Sequence, residues 1–281
     1  MNGLYDAQYI SEFYDDYGVT EWDRLLKTPA DRVSLHIHKH YLEKYLEPGD
    51  RVLEAGAGPG RFTIELAKLG ARVTVGDISK GQLELNEHYV SEAKCEGAVE
   101  ARVQLDITDL NQFETGSFDA VVCYGGALSY VMNRADDAAK ELLRVVKPGG
   151  YVLLSVMSLI GATRILLEGI LSLENFPDLV EQVNRDGILT DENNNGHPLK
   201  LYRSSELKDL LGSHGAQVLV LSAANLVSAG RSEALEPFLD TPVWDKFLSW
   251  ELDYCAEEGA VDCGTHILAV AQKSVAQKGA S

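Results

Sequence analysis

Val52 to Phe62 reads VLEAGAGPGRF, and this stretch decides the fold. The chain spends 25 of its 281 residues on glycine, yet three of them, Gly56, Gly58 and Gly60, stand at alternate positions here, just behind the acid Glu54. Before the glycines, Arg51 to Ala55 is a short apolar run. After them, Arg61 to Leu69 returns apolar residues at helical spacing, with Gly70 as the stop. A strand running into a glycine-rich turn that opens a helix is a nucleotide-cradling device, because glycine permits the tight turn and lets a ligand approach the backbone. A dinucleotide fold wants G-x-G-x-x-G. The third-glycine place of that pattern holds Arg61 here, and the third glycine comes one residue early, at Gly60, giving G-x-G-x-G.

Outward from this turn, strands and helices alternate. The first fifty residues read as helical, with Asp31 to Leu46 stopped by Pro48-Gly49. Strands are predicted at Ala71 to Gly76, Val99 to Leu105, Phe118 to Cys123 and Tyr151 to Val156, with helices at Ser79 to Cys95 and Arg134 to Val146. Pro148-Gly149-Gly150 reads as a turn. The continuously apolar DAVVCY and YVLLSV fit strands buried on both faces. After Val156 the rhythm breaks. Ser158 to Arg203 reads as largely helical with an exposed loop at Asp191 to Gly196, and Ser204 to Ser213 as a helix. Gln217 to Ser222 and Thr265 to Gln272 read as two more strands, with a helical stretch from Glu233 to Glu258 between them. The expectation is an α/β fold: a Rossmann-like, seven-stranded, mostly parallel sheet with helices on both faces. The expected organisation is a helical amino-terminal lid (1–48), a ligand-binding core (49–157), a helical cap (158–203), the end of the sheet (204–273) with a helical insertion (226–262), and a disordered tail (274–281).

At this point the chain resembles the class I S-adenosylmethionine-dependent methyltransferases, over roughly Arg51 to Val156. LEAGAGPGRF is similar to the family's first motif, under the methionine end of the cofactor. The resemblance implies cofactor contacts from Glu54, Gly56, Gly58 and Gly60. VTVGDIS places Asp77 where the family's acid meets both ribose hydroxyls, with Ile78 beside it. QLDITDL places Asp106 where an acid meets the adenine amino group, with Ile107 flanking the ring. FDAVVCYGGALSYV resembles the fourth motif, and LLRVVKPGGYVLLSV the helix, turn and strand that follow. Tyr124 and Tyr14 complete the implied cofactor set. S-adenosyl-L-methionine is therefore the expected cofactor.

The residues are coherent without the family. Asp77, Asp106 and Tyr124 each follow a predicted strand, so they gather at the carboxyl edge of one sheet, where open α/β folds bind ligands. Two acids there suit a ligand rich in hydroxyl and amino donors rather than a pyrophosphate. Each acid has a plainer reading as a helix cap. Methyl transfer from a sulfonium is an in-line displacement in which the protein supplies alignment, worth ~7–11 kcal/mol in well-oriented systems.

The segment after the fourth strand, Cys123-Tyr124-Gly125-Gly126, lacks the Asn/Asp-Pro-Pro that the family uses for nucleobase or glutamine nitrogens. It also lacks the carboxylate of metal-dependent catechol methylation, and the chain has no Pro-Cys pair for cytosine C5. The expectation is a metal-independent transferase acting on an N, O or C atom of a small molecule. Tyr130 stands where related enzymes carry a His. It is a candidate to orient or deprotonate the acceptor, although a phenol with pKa near ~10 is a poor base. His36, His38 and His40 are expected to be solvent-exposed. Tyr5, Tyr9, Tyr14, Tyr17 and Trp22 crowd a segment expected to act as a lid, where aromatic faces can hold a sulfonium. Tyr17, Tyr130, His197, Tyr202 and Arg203 are the candidate acceptor-binding residues.

Composition narrows the partners. A net charge of −18 argues against a large nucleic-acid partner and favours a neutral or cationic small molecule. No apolar run reaches the ~18 residues of a membrane span. The opening residues lack the basic-then-apolar pattern of a signal peptide. The four cysteines form no C-x-x-C and read as free thiols in the cytoplasm. A homodimer is left open. Two other readings compete: an NAD(P)-dependent oxidoreductase, against which Arg61 speaks, and a catalytically silent S-adenosylmethionine-binding partner of another protein.

Overall fold

The computed structural model describes residues 4–190 and 197–275. Three helices come first: α1 (Ala7–Tyr17), α2 (Thr20–Asp23) and α3 (Pro29–Tyr45). Thr28 caps α3 through a reciprocal pair of bonds with Asp31, and Pro29 opens it with a pre-set φ. The alternating half follows as β1 (Arg51–Ala55), α4 (Arg61–Lys68), β2 (Arg72–Asp77), α5 (Lys80–Glu92), β3 (Val99–Gln104), β4 (Phe118–Cys123), α6 (Ala127–Tyr130), α7 (Ala135–Val145) and β5 (Val146–Met157). The second half holds α8 (Leu159–Ile165), α9 (Leu167–Leu171), α10 (Phe176–Asp186), the short pair β6 (Ile188–Leu189) and β7 (Leu199–Lys200), α11 (Ser204–Ser213), β8 (Ala216–Ala223), α12 (Ser232–Leu235), α13 (Pro242–Tyr254) and β9 (His266–Lys273).

The sheet has seven strands in the order β3-β2-β1-β4-β5-β9-β8. Its first five strands are parallel, and β9 runs antiparallel to both β5 and β8. The chain leaves β1 toward β2 on one side and returns through β4 on the other, so the crevice beyond the carboxyl ends of β1 and β4 is the switch point where such sheets bind ligands. Alternate residues of the central strands feed two cores. Leu53, Val121, Cys123 and Leu154 pack with α7 and α11. Val52, Ala120, Val122 and Leu153 pack with α3, α4 and α13. This double burial is why β4 and β5 carry continuous apolar runs.

Four local expectations change. The helical stretch from Glu233 to Glu258 is broken ahead of Pro242, where Asp240 takes a φ of +58°. The Pro148-Gly149-Gly150 turn is absorbed into β5 as a bulge, the register jumping from Phe118↔Val146 to Ala120↔Tyr151. The cap region contains the short β6–β7 pair between its helices and α11. His38 is buried, only 3% exposed, because α3 turns it onto the sheet; His36 and His40 are half-buried. The loop predicted at Asp191 to Gly196, and all but residues 274 and 275 of the predicted tail, lie outside the described residues. Among the described residues no helix is long and apolar enough to cross a membrane.

Candidate active site

At the carboxyl ends of the parallel strands lies a cavity, about 830 Å³ of empty space when its opening to solvent is included, walled on one side by the glycine turn and on the other by the amino-terminal helices. Its shape follows from the alternate glycines. Gly56 has φ +78°, and a Cβ on it would lie 2.7 Å from the Ala127 Cβ, so only glycine lets the β1 turn meet the start of α6. Gly60 has φ +100° and opens α4 against α5, where a Cβ would crowd Asn86 and Val90 at 3.0 Å. Between them the Gly58 N–H donates to Asp77 Oδ2 at 2.8 Å. Gly56 and Gly58 line the cavity, whereas Gly60 stands behind it as the start of the helix.

Asp77 ends β2 on the cavity wall. Its Oδ1 accepts the Ser79 N–H at 2.9 Å, while the Ser79 hydroxyl caps α5 by accepting the Gln82 N–H. A carboxylate has about four lone-pair sites; the Ile78 N–H also bears on this one, and the capacity left over faces the cavity. Burial pushes the Asp77 carboxyl up to about 6, against the opposing pull of the Ser79 and Gly58 N–H groups. A ligand that donates hydroxyls to Asp77 favours its charged form. Affinity for such a ligand is therefore expected to be full above about pH 6 and to fall by up to about tenfold per pH unit below it, as the free protein takes up the proton that the complex lacks. Calorimetric titrations with S-adenosylmethionine from pH 5 to 8, with Asp77→Asn as the flat control, check this.

Glu54 is placed differently from the expectation. It is 2% exposed, stands under the turn and does not line the cavity. Its Oε2 accepts the Thr63 hydroxyl at 2.6 Å; Asn86 donates to Thr63 at 2.8 Å, and Arg102 to Asn86 at 3.0 Å. Glu54 thus fastens β1, α4 and α5 beneath the loop. Burial is the main cause that raises its carboxyl to about 8. A carboxyl whose folded pKa exceeds its unfolded value near 4.5 gives stability that is complete below the unfolded pKa and is lost as pH rises through the folded one. Glu54→Gln mimics the neutral acid. Its melting temperature relative to the parent is expected to rise steadily between about pH 5 and 8; thermal melts across that range read the slope.

Beyond β3 the cavity wall is apolar, with Leu105, Ile107 and Val131, and Ile78 flanks the Asp77 end. Asp106 is turned away from the cavity. Its carboxylate accepts the Thr108 N–H at 2.8 Å and is hydrogen-bonded by the Tyr5 hydroxyl. It borders an outer groove with Ser11 and Gln104. No helix follows Asp106 before β4, so instead of capping one it closes a local turn through the Thr108 N–H, and an adenine contact would need Tyr5 to yield.

The opposite end is aromatic. Tyr14, Tyr124 and Tyr130 line it. The Tyr14 and Tyr130 rings meet edge to face at 5.6 Å, and their hydroxyls are hydrogen-bonded. Burial raises Tyr130 to about 12, so its phenol donates hydrogen bonds rather than taking protons. His197 stacks on Tyr130 at 4.6 Å and on Phe13 at 4.1 Å, one layer behind the wall. Tyr17, 36% exposed, stacks on Phe13 and stays outside the cavity. The structure does not bring Tyr202 or Arg203 to this site. Tyr202 is 1% exposed within the core, its backbone N–H tied to the Met157 carbonyl. Arg203 caps α11 with Glu206 and donates to the Asn184 carbonyl outside the cavity.

Three lining residues escaped sequence reasoning. Arg24 Nε donates to Glu21 Oε1 at 2.7 Å, and both side chains line the cavity. A Cβ on Gly125 would lie 3.2 Å from Arg24 Nη2, so the missing side chain makes room for the guanidinium. Gln82 donates to the Tyr14 and Gly18 carbonyls, while its Oε1 is buried and has no partner among the described residues. No spacing pattern marks Arg24 or Glu21, because they reach the site only when the amino-terminal segment folds back over it.

Comparison with known proteins agrees with this architecture. Residues 53–154 match a methyltransferase domain family. A demethylmenaquinone methyltransferase of Clavibacter sepedonicus is 38% identical over 110 residues, 39% of this chain and 42% of that protein. A ubiquinone biosynthesis O-methyltransferase of Xanthomonas oryzae is 34% identical over 112 residues, 39% of this chain and 44% of that protein. The chain thus spans less than half the length of these relatives. Among solved structures, the 4+2 cyclase SpnF superposes with a TM-score of 0.64 at 18% identity, covering 97% of this chain and 98% of that one. The Burkholderia thailandensis 1,6-didemethyltoxoflavin-N1-methyltransferase, solved with S-adenosylhomocysteine bound, gives 0.59 at 15% identity, over 96% and 89%. Residues 53–154 are thus similar to a methyltransferase domain, and the chain as a whole shares the fold of these solved neighbours.

Proposed function

We propose that the protein transfers a methyl group from S-adenosylmethionine to a small-molecule acceptor, without a metal. The observation that carries this reading is Asp77: a carboxylate at the end of β2, held by the Gly58 and Ser79 N–H groups, on the wall of the cavity beside the glycine turn. The residues present fit that group. Asp77 would hold the two ribose hydroxyls. Leu105, Ile107 and Val131 offer a slot for the adenine. The Arg24–Glu21 pair offers opposite charges to the methionine carboxylate and ammonium, and Gln82 Oε1 offers one more acceptor. A dinucleotide pyrophosphate would instead face the carboxylates of Asp77 and Glu21 at the glycine turn.

When bound, the cofactor supplies an electrophilic methyl on a sulfonium. The chain's own part is alignment and exclusion of water. The Tyr124–Gly125 backbone and the Tyr14–Tyr130 pair wall the aromatic end, where π faces favour positive charge. Metal independence is supported by Tyr124 standing where a metal-dependent site needs a carboxylate. The relatives named for quinone biosynthesis support a small-molecule acceptor. The four cysteines are free, which agrees with a reducing, cytoplasmic setting.

One of the fold neighbours is a cyclase, so transfer itself must be the readout. Methyl-labelled S-adenosylmethionine is incubated with the protein and hydroxyl- and amine-bearing acceptors, with and without a chelator, beside titrations of S-adenosylmethionine and NADH. Expected are micromolar binding of the first, none of the second, and chelator-insensitive label transfer. Binding of NADH alone, or label transfer that needs magnesium, would overturn the reading.

A further inference from the structure

Arg61 is the first residue of α4, where a cation is disfavoured because the amino end of a helix is the positive pole of its dipole. What holds it there lies outside the helix. The centre of its guanidinium stands 3.6 Å from the centre of the Trp22 ring, a close cation–π contact. Its Nη2 donates to the Trp22 carbonyl at 2.8 Å. The indole in turn lies flat on Tyr89 of α5, with 3.8 Å between centroids and 5° between planes. Arg61 lines the cavity, whereas Trp22 and Tyr89 stand outside it.

The helix α2, which carries Trp22, needs such support. It is four residues long, buries none of them and has no side-chain cap. A helix of one turn does not persist without tertiary contacts. The Gln82 bond to the Gly18 carbonyl and the buried Leu25 hold the chain on either side. The stack on Trp22 sets the turn between them. That turn brings Glu21 and Arg24 to the cavity wall. A Cβ on Gly58 would lie 3.7 Å from Glu21 Cγ, so the Glu21 side chain stands against the glycine turn. The Arg24 guanidinium fills the space left by Gly125. Pinning both the ring and the carbonyl of Trp22 fixes the direction of these two neighbours.

We propose that Arg61 is a positioning residue for the amino-acid end of the cofactor: through Trp22 it holds α2 so that Glu21 and Arg24 face the methionine ammonium and carboxylate together. The inference rests on the methyltransferase reading and deepens it. A glycine at this place, as in a dinucleotide fold, would leave α2 without its strut. Arg61 acts through α2 and not on the adenosine. Its loss is therefore felt at one end of the ligand only.

Two ligands separate the ends. S-adenosylhomocysteine and 5′-methylthioadenosine share adenine, ribose and thioether, and only the first carries the amino-acid group. Calorimetry on the full chain should show the parent binding S-adenosylhomocysteine at least about tenfold more tightly. In Arg61→Ala that preference should fall to about threefold or less, with affinity for 5′-methylthioadenosine kept within about twofold. Arg61→Lys keeps a cation over the indole and should restore about half of the loss on a logarithmic scale. In a Glu21→Gln, Arg24→Met background, Arg61→Ala should add less than about twofold, because the strut has no pair left to place. If Arg61→Ala does not fold, Tyr89→Leu decides in its place. It loosens the stack from outside the cavity, and should weaken S-adenosylhomocysteine about threefold or more and spare 5′-methylthioadenosine. An unchanged preference overturns the proposal. Equal losses for both ligands also overturn it, since Arg61 would then support the fold alone. So does a full further loss in the Glu21→Gln, Arg24→Met background, since Arg61 would then touch the cofactor itself. If the parent binds neither ligand, the methyltransferase reading falls as well. If it binds both equally, this inference falls alone.

Discussion

Asp77→Ala is expected to weaken S-adenosylmethionine binding by about 10²-fold, with at least tenfold as the floor, while the fold survives. Each hydrogen bond between a hydroxyl and a carboxylate is worth ~1.5–3 kcal/mol, and the proposed ribose contact places such bonds on this side chain. Their values do not simply add, because the Gly58 and Ser79 N–H groups lose their acceptor in the same substitution and the turn can relax. Stability should change little, since burial already holds the carboxyl above its ordinary pKa and its removal relieves that cost. Asp77→Asn keeps the shape and one acceptor, so its loss should be intermediate. Titration calorimetry with melting curves separates the two effects. Unchanged affinity in Asp77→Ala would take the residue out of the site.

The parallel half of the fold was legible because local physics and tertiary role coincide there. Arg51–Ala55 and Phe118–Cys123 are predicted to the residue, since a short strand buried on both faces concentrates apolar residues even where it carries Arg51, Glu54 or Asp119. The glycine turn was legible as a turn, but its parts were not. Glu54 shares the motif with Gly56 and Gly58 and yet points under the loop to Thr63, a direction that spacing does not encode. Asp77 and Asp106 look alike in sequence, each an acid after a strand. They diverge because Asp77 faces the cavity while Asp106 is engaged by Thr108 and Tyr5. The acceptor end was least legible. Tyr202 and Arg203 lie close in sequence to the cap yet face the core and the α11 cap. Arg24 comes from a separate segment, and only the folded chain brings it to Gly125. His38 looked exposed because alternate histidines on a helix show no pattern; the apolar face of α3, with Val33, Ile37 and Tyr41, is what turns it inward.

Removing residues 1–28 is expected to leave a cooperatively melting core with methyl transfer reduced by about 10²-fold or more, because this segment is proposed to act as a lid. Its helix α1 buries one residue, Ile10, and is fastened instead by polar bonds. Ser11 donates to the Ile78 carbonyl at 3.1 Å. Asp15 accepts the Ser79 hydroxyl at 2.5 Å and the Gly81 N–H at 2.8 Å. Gln82 holds the Tyr14 carbonyl at 2.9 Å. Farther along, the Arg61 guanidinium lies 3.6 Å from the centre of the Trp22 ring, which stacks on Tyr89 at 3.8 Å. Water can replace polar latches of this kind at small cost, whereas the apolar cores of the sheet have no such substitute. The lid therefore belongs to the low-stability end of the molecule. The latch residues Ile78 and Gln82 flank Asp77, and Tyr14, Glu21 and Arg24 line the same cavity, so a bound ligand ties both sides together. Amides from Tyr5 to Trp22 should exchange rapidly in the free protein and at least about tenfold more slowly with S-adenosylhomocysteine bound, and Asp15→Ala should speed exchange in both states. Equal protection with and without ligand would mean that the segment is a fixed wall of the cavity, and the truncated chain would then lose its fold rather than only its activity.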